Sequence, residues 1–186
     1  MGDALKKYLK DYLTLFLMAG LVIGVDQWTK ALVRLNIPLG GSWNSVEWLQ
    51  PYARIVHWYN TGAAFGLFQN GSLIFASLAV VVILLIIYYF PQVPASDWTF
   101  RLAMALQLAG AAGNLIDRIM FAGKVTDFIS IGKFAVFNIA DASITIGVVI
   151  LLLGALIKER KQKKSKLDGS VDGISVPTTE SGDQNG

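Results

Sequence analysis

The sequence predicts an all-α integral membrane protein: four transmembrane helices in a bundle, with a small strand-rich platform on one face. Three observations carry that prediction. Of 186 residues, 54% are hydrophobic and only 16% charged, where a soluble domain carries roughly 25% charged residues. The apolar residues gather into four stretches close to spanning length. The basic residues fall where they sort the connecting loops onto two sides.

The first stretch covers about 12–32, with Trp28, Ala31 and Leu32 extending the run from Tyr12 to Val25. The second, 73–90, contains the unbroken apolar run Leu78 to Tyr89. The third, 100–121, is rich in Ala and Gly, and the fourth is 137–157. A helix needs about 20 residues to cross the hydrocarbon core, and each stretch comes close. A cleaved signal peptide explains the first one less well. No A-x-A site follows it, and Asp26 and Lys30 continue its helical pattern.

Lys6, Lys7 and Lys10 precede the first span, Arg101 lies between the second and third, and Lys158 to Lys166 follow the fourth. The positive-inside rule then puts both termini in the cytoplasm and residues 34–72 and 122–136 outside. The net charge of +3 belongs to these basic ends, which suit anionic lipid headgroups and not nucleic acid. Residues 1–166 form a single membrane-embedded domain. Residues 167–186, polar and poor in apolar side chains, are expected to be a disordered cytoplasmic tail.

The outer segment 34–72 carries Trp43, Trp48, Tyr52, Trp58 and Tyr59, the aromatic content of an interfacial layer. Ala53 to Tyr59 alternates as a strand does, and Gly40-Gly41 and Asn60-Thr61-Gly62 read as turns.

Several kinds of chemistry are excluded. Without cysteine there is no disulfide, thiolate metal site or cysteine nucleophile. With His57 as the sole histidine, a multi-histidine zinc site is impossible, and no metal or other cofactor is expected. His57 is assigned to the surface or to a strand of the platform. Ser143 follows Asp141 by two and faces elsewhere on a helix, and neither Lys30 nor Lys124 has a convincing serine partner.

Ionisable residues at membrane depth are costly and mark function. The candidates are Asp26, Lys30, Asp117, Arg118, Asp127 and Asp141, all at the outer span ends or in the second outer loop. Asp26 and Lys30 have the spacing of an i,i+4 ion pair. Asn114, Asp117 and Arg118 share a helical face, with Asp117 read as a paired group and Arg118 as one able to hold a carbonyl. Asp127 and Asp141 sit among apolar neighbours. If they meet, they share a proton, since two close carboxylates cannot both ionise. One then activates water and the other protonates a scissile carbonyl. If they do not meet, Asp141 is a helix N-cap and Asp127 a loop acid. Spacing alone leaves both readings open, beside a proton-relay transporter using Asp117, Asp127 and Asp141, and a non-catalytic assembly or lipid-binding subunit.

Five blocks in order tip this balance: Asp26-Gln27-Trp28-Thr29-Lys30, Asn60-Thr61-Gly62-Ala63-Ala64-Phe65, Gly110 to Arg118, Val125-Thr126-Asp127-Phe128 and Phe137-Asn138-Ile139-Ala140-Asp141. With these the chain resembles the lipoprotein signal peptidases, bacterial signal peptidase II, over about 11–158. One departure is Gly110-Ala111-Ala112, where many members have Gly-Gly-Ala. The resemblance implies a four-helix membrane bundle with a small antiparallel β cradle and a short interfacial helix on the outer face. It makes Asp127 and Asp141 a catalytic dyad, with Asp26, Lys30, Asn60, Gly62, Asn114, Asp117, Arg118 and Asn138 supporting the site or binding substrate. The implied substrate is a diacylglyceryl-modified prolipoprotein, cut before its lipidated cysteine. The implied setting is the bacterial inner membrane, with the enzyme a monomer among membrane lipids and its site at the periplasmic face.

Overall fold

The computed structural model describes residues 2–43, 47–49, 51–62 and 71–171. Its elements in chain order are α1 (Gly2–Asn36), β1 (Ser42–Trp43), β2 (Ala53–Asn60), α2 (Ser72–Tyr89), α3 (Trp98–Met120), β3 (Val125–Ile131) and α4 (Ile139–Val171). By compactness the chain divides at residue 151, into units 1–151 and 152–186. The first unit holds α1–α3, the sheet and the N-terminal part of α4. The second holds the C-terminal part of α4, whose helix continues past Leu167 to Val171; the rest of the expected tail lies outside the described residues.

Three helical segments, Gly2–Asn36, Ser72–Gln92 and Ile139–Lys163, are long and apolar enough to cross a membrane. The β-branched run in α2 would be a poor helix in water. In hydrocarbon only a helix satisfies the backbone of an isolated segment. Pro91 stops α2 and leaves a short 3-10 turn, Phe90–Gln92.

α3 departs from the expected pattern of four apolar spans. At 23 residues it has spanning length, but its small and polar residues dilute its apolar character. The reason is its position. It packs against α1 and α2, and α4 meets it so closely at Gly110 that an added Cβ would collide with the Ala140 carbonyl and Ile144. Ala103, Ala105, Ala109 and Gly113 are buried among these neighbours. A helix enclosed by others needs small contact residues more than lipid-facing ones.

α1 buries one stripe: Asp11, Leu15, Ala19, Asp26, Lys30 and Val33. Its middle joins Phe90, Met104, Ala105 and Leu108 in the main apolar core. The polar residues lie at both ends of the stripe. Near one end, Asp11 pairs with Arg101 at 2.7 Å, both buried. Arg101 also donates to the Val93 carbonyl and stacks on Phe90, 4.2 Å from the ring centre. In the sequence Arg101 reads as a loop marker, and the candidate membrane-depth charges all fall at the other end. The burial of Asp11 and Arg101 corrects both points, and neutralisation within the pair explains how two charges are accommodated there.

The platform is a three-stranded antiparallel sheet in the order β1-β2-β3. β2 occupies the expected strand, and the Gly40-Gly41 turn forms with Gly40 at φ 78° and Gly41 N–H donating to Pro38 at 2.8 Å. β3 falls in what the sequence presents as the second outer loop. The register pairs Asn60 with Val125 and Trp58 with Asp127, with a bulge between Ile55 and Trp58. His57 lies at that bulge, buried, its Nδ1 2.7 Å from the Ile37 carbonyl. Its strand position matches expectation, whereas a surface position does not. Within the described part of the outer connection, the helical element is the 3-10 turn Glu47–Leu49.

Candidate active site

α4 begins with a reciprocal cap. Asn138 Oδ1 accepts from Asp141 N–H at 2.9 Å, and Asp141 Oδ2 accepts from Asn138 N–H at 3.2 Å. This is the geometry of a capping box, so Asn138 is the N-cap and Asp141 stands three residues in. Asp141 is therefore not the N-cap that the sequence alternative makes it. A second donor of the same turn, Ala140 N–H, is satisfied by Asp26 Oδ1 at 2.9 Å.

With its oxygen committed to the cap, the Asn138 side chain turns its NH₂ towards Asp127 Oδ1, 2.6 Å away, and also reaches Asn114 Oδ1 at 3.1 Å. Asn114 is oriented by the same logic. Its oxygen accepts from Lys30 Nζ at 3.1 Å as well, which leaves its NH₂ to donate to Asp141 Oδ1 at 2.7 Å. Asn60 is the third case. Its oxygen accepts from Gly62 N–H at 2.9 Å, and its NH₂ donates to Asp127 Oδ2 at 3.0 Å. β2 and β3 make this possible, because Asn60, Val125 and Asp127 lie on one face of the sheet.

The three amides bring Asp127 and Asp141 into one network, through the single Asn138 side chain and through Asn114. Asp127 is almost fully buried, 1% exposed, while Asp141 is half-buried. Burial, and after it the neighbouring Asp141 charge, push the Asp127 carboxyl up from 3.8 to about 7; the bonds from Asn60 and Asn138 oppose that shift without cancelling it.

Behind the pair is a charged brace. Lys30 Nζ lies 2.9 Å from Asp26 Oδ2 and 3.7 Å from Asp117 Oδ2, all three fully buried. Gln27 Nε2 donates to Asp26, to the Gly113 carbonyl and to Asp117. Asp117 Oδ2 accepts from Thr126 N–H at 2.8 Å, the residue before Asp127, and Arg34 reaches Thr126 Oγ1 at 2.9 Å. The brace thus ties α1 and α3 to β3 and to the start of α4. Gly113 is needed for it, since a Cβ there would sit 2.8 Å from Asp26 Oδ2. The expected ion pair of Asp26 and Lys30 is present, but it belongs to a larger network. Gln27, Arg34 and Thr126 are further members that carry no signal of their own in the sequence, although Gln27 and Thr126 lie inside the ordered blocks.

Asp127, Asp141, Asn60, Gly62, Asn114 and Arg118 all line one cavity of about 680 Å³. Its remaining wall is largely apolar. Arg118 donates to the Asn114 carbonyl at 3.3 Å, lies 5.7 Å from the Phe75 ring centre, and keeps its buried Nε without a partner among the described residues. Asn138, Asp26, Lys30 and Asp117 act from behind the wall. Ala63, Ala64 and Phe65 of the second block lie outside the described residues. Among the described residues, no cluster of three or more His, Cys, Asp or Glu could hold a metal.

Fold and site together define a multi-pass membrane enzyme with an acid-lined polar site near one end of its helices. The family model for signal peptidase (SPase) II matches residues 18–157. The lipoprotein signal peptidase of Halalkalibacterium halodurans is 37% identical over 155 residues, covering 81% of this chain and 97% of that protein. That of Moorella thermoacetica is 36% identical over 146 residues, covering 78% and 95%. A solved bacterial membrane enzyme structure, obtained by the in meso method at 2.3 Å, superposes with a TM-score of 0.72 at 32% identity, covering 81% of this chain and 91% of that one. The chain belongs to the lipoprotein signal peptidase family, signal peptidase II, a family of aspartic peptidases.

Proposed function

We propose that the protein is an endopeptidase that removes signal peptides from diacylglyceryl-modified prolipoproteins, with Asp127 and Asp141 activating water. The observation that carries this reading is the pair's shared network in the wall of a largely apolar cavity. A soluble aspartic peptidase site has no need of such a wall; a lipid-bearing substrate does.

With one proton shared by the pair, the unprotonated carboxylate takes a proton from water as its oxygen attacks the scissile carbonyl carbon. The protonated partner gives its proton to the carbonyl oxygen, forming a neutral tetrahedral diol. Collapse breaks the C–N bond, and the proton taken from water passes to the leaving amine of the lipidated cysteine. Arg118 and Asn60 hold substrate backbone beside the pair. The brace of Asp26, Lys30 and Asp117 keeps the strand and the helix start in register.

Asp127→Asn and Asp141→Asn, purified in detergent, are expected each to lose cleavage of a lipidated prolipoprotein while melting cooperatively like the parent. Substantial cleavage by either variant would remove that residue from the mechanism. The same reading puts the site at the periplasmic face of the inner membrane and both termini in the cytoplasm. Its substrates and surrounding lipids are the only partners required, and the chain acts as a monomer.

A further inference from the structure

The cavity holding the acid pair continues beyond it along α3. Arg118, Asn114, Ala111, Gly110 and Gln107 line it at helical spacing on one face. Gln107 lies two turns from Asn114, about 10 Å along the axis, nearly midway along the helix. Across from it the wall is apolar, from Leu78, Ala79 and Val82 of α2. Among the described residues the Gln107 amide has no hydrogen-bond partner. Its stem passes α4 where Gly147 leaves room, since a Cβ there would come within 3.1 Å of Gln107 Cγ. An amide facing an apolar groove is unfavourable unless the groove's occupant completes its hydrogen bonds.

We infer that Gln107 is a specificity-determining residue that donates to an ester carbonyl of the substrate's diacylglyceryl group. The inference rests on the peptidase reading above, which puts the scissile amide at the acid pair. From that nitrogen, through Cα, Cβ, sulfur and the glyceryl carbons, an ester carbonyl lies roughly 9 Å away when extended. That is comparable with the roughly 10 Å along α3 between Gln107 and Asn114, whose amide bonds Asp141. An ester carbonyl is an acceptor with no donor of its own, and its acyl chain continues naturally into the Leu78 and Val82 wall. Carbonyls of a helical signal peptide are already bonded within the helix, except in its last turn, which lies at the scissile bond.

The test compares two substrates of identical peptide sequence, one with a diester diacylglyceryl group and one with a diether analogue lacking both carbonyls. The parent enzyme is expected to show a KM about five- to tenfold lower for the diester, the equivalent of one neutral hydrogen bond. In Gln107→Leu, and in the near-isosteric Gln107→Met, the diester KM rises to the diether value, while kcat and the diether KM stay as in the parent. No diester preference in the parent, or an equal rise in KM for both substrates in the variants, overturns the assignment. If the parent cleaves neither substrate, the peptidase reading falls and this inference falls with it.

Discussion

Asn60, Asn114 and Asn138 each receive a donor on the side-chain oxygen and so present NH₂ to an aspartate. A carboxyl as buried as Asp127, beside a second acid, keeps its proton to about pH 7. Two consequences follow from the direction of that shift. Cleavage is expected to fall as pH rises through about 7, when the pair loses its shared proton, and to fall again in acid as the second carboxyl protonates. Because folding raises this pKa, the stability it contributes is complete below 3.8 and is lost as pH rises through about 7. Asp127→Asn should therefore gain melting temperature relative to the parent between pH 5 and pH 8. A difference that does not change with pH would contradict the burial argument. At this scale the two acids were legible only as members of ordered blocks. The cap at Asn138 was not, because an Asn three residues before an Asp suits either residue as N-cap until the backbone is seen.

Among the elements, α3 was recognisable by length but not by partnership. Its Ala and Gly residues fit substrate approach or span packing equally in sequence. The geometry separates them by position: Gly110 meets α4, Gly113 meets Asp26, and Ala111 borders the cavity. Gly110→Ala is expected to cost about 1–3 kcal/mol of stability through overpacking against Ala140 and Ile144. The loss should show as a lower melting temperature, and a variant as stable as the parent would contradict the close packing of α3 and α4. The neighbouring Ala111 tolerates its methyl because it faces the cavity, which accounts for the Gly-to-Ala departure seen in the sequence. β3 was hidden because its β-branched run is short and interrupted by Asp127. Pairing with β2 makes it a strand, and no local pattern reports a partner far away in sequence.

Over the whole molecule, three apolar helical segments and one sheltered helix account for the modest share of hydrophobic residues in the third stretch. The composition made membrane insertion legible. The Asp11–Arg101 pair was not, since a buried pair and two loop charges look alike in sequence. The basic residues in the first turns of α1 and after Ile157 predict that tags at either terminus react with reagents only from the cytoplasmic side. A terminus labelled from the periplasm would invert the arrangement.

The central claim is that Asp127 and Asp141 act as one unit on one water. The most direct measurement is the cleavage rate of a diacylglyceryl prolipoprotein by Asp127→Asn, Asp141→Asn and the double variant, each checked for folding. Residues acting as a unit are not additive, so all three should fall to the same background rate. A single variant that retains turnover, with a further loss in the double, would contradict the shared site.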